Sequence, residues 1–388
     1  MLLEATMEGS GTPVYPYEYD QDKRALSKRL SRTHFRLNMI STLCGAAILL
    51  ALVLTGASES YSQALAHYPW QWTVALYTAT LISFFFLIEL LFSYARYRLR
   101  RKYGMSTQSA GRWLEDQAKG YTLSLLHSIP AVEFLFLLIL DEPGYWWFTA
   151  ASVYIILSFC YSTLFPLLFA RFFYRITPLQ EGEVRDRVKR LLSSIGLERL
   201  EVFTLNESSR SRGANAFVTG IGGRKRVVIF DNLLNSFAPP EVDSIVAHEL
   251  GHYVKRDTTV SMFTGIATTY LSAYLMFLTL AFALGRGVVY SALDPTVLLW
   301  FALFTGILGF ALSPLMNAFS RSRERRADMF SLDLTRDPVA FISGEKRLCD
   351  VNLMEESVRG LRKIFFATHP STLERIAMGE NWKPSGLK

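Results

Sequence analysis

The chain has 388 residues, a length that would suit two or three soluble domains. Half of its residues are hydrophobic and 14% are aromatic, whereas only 19% are charged, which excludes a disordered chain and disfavours a wholly soluble protein. In so apolar a chain, the net charge of +7 indicates basic loops on one side of a membrane, and we expect no nucleic-acid partner. The cysteines are too few and too scattered for a disulfide framework or a cysteine-based metal site: Cys44, Cys160 and Cys349.

Six stretches of the chain are apolar over roughly 20 residues, the length that a helix needs to cross a bilayer. The helices of a soluble core rarely run so long without a charge, so we predict six membrane spans. A charged tail of 37 residues precedes the first stretch, which argues against a cleaved signal peptide. The predicted spans are 38–56, 72–94, 121–140, 147–170, 260–284 and 296–317.

Lysine and arginine are unevenly distributed between the two sides of these spans. The loops 57–71 and 141–146 contain neither residue, and the loop between the last two spans contains only Arg286. The N-terminal tail and the polar segments 171–259 and 318–388 are rich in both. The positive-inside rule therefore predicts that both termini and the two polar segments are cytoplasmic, in a bacterial inner membrane or the endoplasmic reticulum according to the host.

The chain thus divides into five predicted parts. A cytoplasmic tail at 1–37 precedes a bundle of four spans at 38–170. The polar segment 171–259, two further spans at 260–317 and the polar segment 318–388 follow. We predict a mainly α polytopic membrane protein whose two polar segments form one cytoplasmic domain with a small β-hairpin or sheet.

The first polar segment alternates between helix and strand patterns. A helix is predicted over 182–195, ending at Gly196, and an apolar run follows at Leu200–Leu205. Two further runs, Ala214–Thr219 and Arg226–Phe230, flank a glycine-rich turn, so they predict a β-hairpin.

A second helix is predicted to begin at Pro239, because proline favours the first helical position. Nothing interrupts the pattern before Gly265, so we expect this helix to continue into the fifth span.

This helix contains the run His248-Glu-Leu-Gly-His252. Histidines four residues apart lie on one helix face and can reach one metal ion, and Glu249 stands beside that ion, where it can act on a water molecule without binding the metal. The alternative is an amphipathic helix with histidine and glutamate at its surface.

A third metal ligand is expected elsewhere, because a catalytic zinc ion usually has three protein ligands and leaves its fourth position to water. After the sixth span, Glu324 and Asp328 are again four residues apart. That spacing suits a ligating Glu324 and an Asp328 that accepts a hydrogen bond from the second ring nitrogen of a ligand histidine. Alone, the segment is more typical of a solvated charge run, but together with the first motif it favours a metal site.

Four other titratable residues stand apart from these motifs. His369, considered alone, is more typical of a structural role than of a functional one. Within the predicted spans, Glu89, Glu133 and His127 are costly in lipid. They either line a cavity or interact with one another, and the sequence leaves both interpretations open.

Taken together, the motifs resemble those of the type I CAAX prenyl proteases, which are zinc endopeptidases of membranes. The resemblance covers roughly residues 90–380, in the order of the family. The Tyr-Gly loop and the number of spans favour this group over the shorter HtpX-like heat-shock membrane proteases, which share the zinc motifs. The matching positions are Lys102–Gln108, Trp113, Asp116, Thr177–Leu179, Asn215–Phe217, Arg226–Leu234, His248–His252, Ser320–Asp328, His369–Ser371 and Glu374–Ile376.

The resemblance implies a helical bundle around a water-filled chamber, capped by a cytoplasmic, gluzincin-like zinc protease domain. It implies one catalytic Zn²⁺ and a peptide or protein substrate with a prenylated C-terminus. The implied site residues are the ligands His248, His252 and Glu324, the general base Glu249, Asp328 beside a ligand histidine, Asn215 and Ala216 on an edge strand that pairs with substrate, and His369 and Arg375 near the scissile carbonyl.

The sequence departs from the family pattern in its six predicted spans, where seven are usual, and at Tyr253 and Phe217, where Trp and Tyr are frequent. These differences leave the metal chemistry intact and bear on the substrate. We predict a zinc endopeptidase of the membrane. Two alternatives remain: an HtpX-like protease that degrades misfolded membrane proteins, and a non-catalytic scaffold or transporter. The second would need a structural zinc ion, which is usually closed by four protein ligands, whereas three are found here.

Overall fold

The computed structural model describes residues 13–168, 174–220, 225–287, 289 and 291–384, and the side chains of all of these except 162–168. Long helices dominate it. The helices are α1 (Gln21–Leu54), α2 (Ala57–Leu65), α3 (Trp70–Lys102), α4 (Ala110–Asp141), α5 (Trp146–Leu168), α6 (Glu183–Ser194), α7 (Asp231–Ser236), α8 (Pro239–Val254), α9 (Asp257–Gly285), α10 (Val297–Thr335), α11 (Pro338–Val351), α12 (Gly360–Phe366) and α13 (Thr372–Asn381). The strands are β1 (Ile176–Pro178), β2 (Glu201–Leu205), β3 (Ala216–Thr219) and β4 (Arg226–Phe230), and a short 3₁₀ helix covers Glu207–Ser209.

Five of the predicted spans are confirmed as helices that are long and apolar enough to cross a membrane, namely those on α1, α3, α4, α9 and α10. The remaining predicted span, 147–170, falls on α5, a helix of 23 residues whose described side chains end at Tyr161. Residues 169–170 lie outside the described residues. The protein is therefore an integral membrane protein that crosses the bilayer several times.

The long helices pack side by side in a closed ring. Helix α1 packs on α3, α3 on α4, α4 on α5, α5 on α9, α9 on α10, and α10 returns to α1. Large apolar side chains along them, such as Leu43, Leu91 and Ile307, are exposed. A continuous apolar surface of this kind is stable against lipid rather than against water.

Helix α10 is much longer than a bilayer is thick. Its 39 residues extend over about 58 Å at 1.5 Å per residue, whereas the hydrocarbon core of a membrane is about 30 Å thick. The predicted sixth span, 296–317, and the acidic pair Glu324 and Asp328 therefore lie on one continuous helix. This helix carries the acidic pair out of the membrane into the polar part of the protein.

A four-stranded sheet packs on α8, in the order β1-β2-β4-β3. The predicted hairpin is confirmed, because β3 and β4 pair in antiparallel fashion, and β2 pairs with β4 in parallel fashion. Val227 and Ile229 of β4 are fully buried and share one apolar core with Val242, Val246 and Leu250 of α8. Strand β3 is the last in this order, so one side of its backbone has no neighbour among the described strands.

The prediction that one helix continues from Pro239 into the fifth span is wrong. Helix α8 ends at Val254, and α9 begins at Asp257. Between them, Arg256 adopts a left-handed conformation with a φ of 56°. A non-glycine residue in this region redirects the chain without leaving a glycine or proline signal in the sequence.

The segment before α1 is held against α11 by buried polar contacts. The Tyr17 hydroxyl donates a hydrogen bond to Asp350 (2.9 Å), and the guanidinium of Arg24 forms an ion pair with the same carboxylate. Asp350 is 1% exposed and Arg24 5% exposed. The N-terminal end of the first span is thereby fastened to the polar part of the protein.

Glu89 bridges two of the long helices. Its carboxylate accepts a hydrogen bond from the Ser41 hydroxyl of α1 (2.7 Å) and pairs with Arg96 two turns further along α3. A cation and a hydroxyl donor thus accompany this carboxylate within the bundle.

Candidate active site

Ten of the sixteen residues of helix α8 are buried, and its first turn is fixed from two sides. Glu241 accepts a hydrogen bond from the backbone of Ala238 (2.8 Å), which closes the first turn, and forms an ion pair with Arg347 of α11 (2.7 Å). Ser343 of α11 donates a hydrogen bond to the same carboxylate. These contacts orient the helix that carries both histidines.

Helices α8 and α10 approach closely at Gly251, the residue before His252. A Cβ atom at Gly251 would lie 3.0 Å from the Cα atom and 3.2 Å from the carbonyl oxygen of Ala327. Glycine and alanine at these two positions let the backbones meet. This contact places Glu324, one turn before Ala327, opposite the histidine pair.

The structure brings together three donor groups: His248, His252 and Glu324. The two Nε2 atoms are 3.2 Å apart, and the Glu324 carboxylate oxygens lie 3.3 Å from His248 Nε2 and 3.5 Å from His252 Nε2. Tetrahedral zinc with bonds of about 2.0–2.1 Å needs ligand atoms about 3.3 Å apart. The three side chains therefore fit one metal ion of this size and geometry.

Each histidine is oriented by a carboxylate at its other ring nitrogen. His248 Nδ1 hydrogen bonds Asp328 (2.8 Å), and His252 Nδ1 hydrogen bonds Asp257 (2.9 Å). Both Nε2 atoms then face the common point with Glu324, as a metal site requires. The sequence analysis identified Asp328 but missed Asp257, whose only signal is an acidic residue shortly after the second histidine.

Arg375, in the first turn of α13, lies behind Asp328. Its Nε donates to both Asp328 oxygens (3.1 and 3.0 Å), and its Nη1 pairs with Glu345 of α11 (2.6 Å). Glu345 is 4% exposed, and burial raises the pKa of its carboxyl. Sequence reasoning also missed Glu345, because its connection to the site runs through Arg375 across three helices.

A cleft of about 810 Å³ opens onto the histidine and glutamate cluster. Glu249 and Asn215 line it together with His369 and Arg375. Burial raises the pKa of the Glu249 carboxyl. The imidazole of His369 is largely exposed to the cleft, and its Nε2 lies 3.5 Å from Glu324.

The predicted substrate-binding pair lies at the start of the edge strand. Asn215 is exposed, and its backbone carbonyl accepts a hydrogen bond from Phe230 of β4 (3.0 Å). Ala216 is the first residue of β3 and pairs with Ile229. Among the described strands, β3 pairs with β4 alone, so its other edge carries no neighbouring strand.

These features define a class. The protein is an integral membrane metalloenzyme, in which two histidines on one helix and a glutamate from another converge on a single ion site beside a carboxylate-lined cleft.

Comparison with known proteins identifies the family to which the chain belongs. The model of peptidase family M48 matches residues 178–383, and the model of the CAAX prenyl protease N-terminal region, described as having five membrane helices, matches residues 12–175. The chain belongs to peptidase family M48.

Several curated proteins are similar over most of their length. A protein of Bacillus subtilis named as an uncharacterized metalloprotease, YhfN, is 27% identical over 298 residues, which cover 76% of this chain and 70% of that protein. The CAAX prenyl protease 1 of Saccharomyces cerevisiae is 26% identical over 325 residues, which cover 75% of this chain and 68% of the yeast protein.

A solved structure shares the fold. The crystal structure of S. mikatae Ste24p superposes with a TM-score of 0.83 at 22% sequence identity and covers 97% of this chain and 93% of that one. Together with the family match, this confirms the predicted class of fold and a membrane metalloendopeptidase as the predicted enzyme.

Proposed function

We propose that the metal is a single zinc ion held by His248, His252 and Glu324, and that the site hydrolyses peptide bonds in the cleft. The observation that carries this proposal is the spacing of 3.2–3.5 Å between the Nε2 atoms and the Glu324 oxygens, with a carboxylate on each Nδ1. When bound, the ion supplies Lewis acidity, which polarises the scissile carbonyl and lowers the pKa of water.

Glu249 is the general base of the proposed reaction. It is next to a ligand histidine in sequence, faces the cleft and is not one of the three converging donors. It takes a proton from the attacking water and returns that proton to the leaving amine.

Three further elements serve the reaction. The free edge of β3 from Asn215 and Ala216 holds the peptide extended by backbone hydrogen bonds, which gives affinity with little demand on sequence. His369, exposed in the cleft, donates a hydrogen bond to the substrate carbonyl. Arg375 acts as a positioning residue, because its guanidinium fixes Asp328, which in turn fixes His248.

Glu249→Gln tests the assignment of the base. We expect the variant to bind one zinc ion per chain, because the three donors are untouched, and to lose peptide hydrolysis. Metal content by mass spectrometry and cleavage of a fluorogenic peptide measure the two properties. Glu198→Gln, which alters an exposed glutamate in the loop after α6, is the matched control and should keep both. Cleavage by Glu249→Gln at the wild-type rate would show the assignment to be wrong.

For the substrate, we place the chain with the CAAX-type peptidases rather than with the HtpX-like alternative. The match of the CAAX prenyl protease N-terminal model to residues 12–175 supports this choice. A farnesylated C-terminal peptide should then be cleaved faster than the same peptide without the lipid, and faster than an unfolded membrane protein. Faster cleavage of the unfolded protein would favour quality control instead. We also place the site and both termini in the cytoplasm, since the lysine-free and arginine-free loops lie on the other side.

A further inference from the structure

One face of α3 passes from apolar to aromatic to basic along its length. Leu87, Leu91, Tyr94, Arg98 and Lys102 follow one another at intervals of three or four residues, so they form one stripe. Leu87 is 60%, Leu91 72% and Tyr94 42% exposed. This order reproduces the layers of a membrane, with hydrocarbon first, then the aromatic interface, then the headgroups.

The stripe lies on a different face of α3 from the residues that make polar contacts within the protein. Glu89 and Arg96, which lie on another face of α3, pair with each other, and Glu89 also binds Ser41 of α1. Arg100, four residues after Arg96, lines the cleft that leads to the metal site. The stripe at Arg98 is therefore the side of α3 directed toward lipid.

At the basic end of the stripe, an open pocket of about 670 Å³ lies between α1, α3 and the start of α4. Aromatic rings form its wall, where Trp113 of α4 lies 5.4 Å from both Tyr94 and Tyr97, stacked on the latter. The cations that line the pocket are Arg98, Arg101 and Lys102.

Among the described residues, no carboxylate lies within 4.0 Å of Arg98, Arg101 or Lys102. The two acids in the first turns of the facing helix, Glu115 and Asp116, are already paired with Lys119 and Arg210. The guanidinium groups of Arg98 and Arg101 are instead directed by tyrosine hydroxyls, at 3.4 and 2.9 Å. Three positive charges without a carboxylate partner lie beside an apolar stripe. A ligand that fits both features carries an anionic group attached to a hydrocarbon chain.

We infer that this pocket binds the headgroup of an anionic phospholipid, with the phosphate on Arg98, Arg101 and Lys102 and an acyl chain along Leu91 and Leu87. The site is separate from the metal cleft and does not depend on the proposed peptidase reaction. The site is more specific than the general excess of lysine and arginine in cytoplasmic loops, because its three cations line one pocket with an aromatic wall.

Native mass spectrometry of the detergent-solubilised protein tests this inference directly. The wild-type protein should retain phosphatidylglycerol at concentrations at which phosphatidylcholine of the same chain length is lost. In the double variant R98Q/K102Q, phosphatidylglycerol affinity should fall about 30-fold, because each lost interfacial charge lowers the affinity about fivefold. The control R29Q/R32Q removes two exposed cations of α1 outside the pocket and should retain wild-type affinity.

Several outcomes would overturn the inference. These are equal binding of phosphatidylglycerol by the wild type and R98Q/K102Q, equal retention of the two lipids, or an equal loss in the control. Displacement of the bound lipid by millimolar inorganic phosphate would also overturn it, since the pocket would then recognise a free anion. If the double variant unfolds, the single variant K102Q replaces it, with an expected loss of about fivefold.

Discussion

Gly251→Ala perturbs the metal site through the packing of two helices, without touching a ligand. The added Cβ atom would lie 3.0 Å from the Ala327 Cα atom, whereas carbon atoms pack at about 3.5–4.0 Å. Helices α8 and α10 must then separate locally by a few tenths of an ångström. Because metal–ligand distances tolerate only about 0.2 Å, Glu324 would no longer reach an ion held by both histidines.

We expect zinc affinity to fall at least about tenfold in this variant, as for changes to the groups that orient metal ligands. The free energy of unfolding should fall by at most about 2 kcal/mol, because the gain of about 1 kcal/mol in helix propensity offsets part of an overpacking cost of about 1–3 kcal/mol.

Competition against a fluorescent zinc chelator measures the affinity in detergent, and thermal unfolding measures the stability. Gly309→Ala is the matched control, since it lies on α10 with nothing within 4 Å of the added carbon. If Gly251→Ala binds zinc as tightly as the wild type does, the contact between α8 and α10 does not set the position of Glu324, and the reasoning fails.

Two further changes test the supporting contacts. Asp257→Asn weakens the hydrogen-bond partner of His252 Nδ1 and should lower zinc affinity about 10–100-fold in the chelator assay. The control Asp333→Asn changes an exposed acid of α10 and should leave the affinity unchanged. Equal zinc affinities of the two variants would exclude a role for Asp257. Asp350→Asn leaves a buried cation unpaired and should cost about 3–5 kcal/mol, measured by thermal unfolding. Glu356→Gln, in a partly exposed pair, should cost less than about 1 kcal/mol, and a similar small loss in Asp350→Asn would contradict the buried pairing.

The sequence by itself was sufficient wherever the signal is local. Histidines at 248 and 252 share a helix face because of the 3.6-residue period alone. The long apolar stretches and the β-branched runs around Gly220 similarly predicted the membrane helices and the hairpin. Glu324 and Asp328 were found because their spacing repeats that of the histidines and because a catalytic zinc ion needs a third ligand.

Only the tertiary structure shows which elements distant in the chain contact each other. It also shows where the chain changes direction at residues that carry no sequence signal for a turn. Arg256 breaks the helix in a left-handed conformation that no sequence pattern announces, and this turn brings Asp257 back to His252. Glu345 reaches the site only through Arg375, and the closure of the helix ring depends on packing between α10 and α1. Periodicity specifies which face of an element is apolar, but the partner of that face follows from the packing of the whole chain.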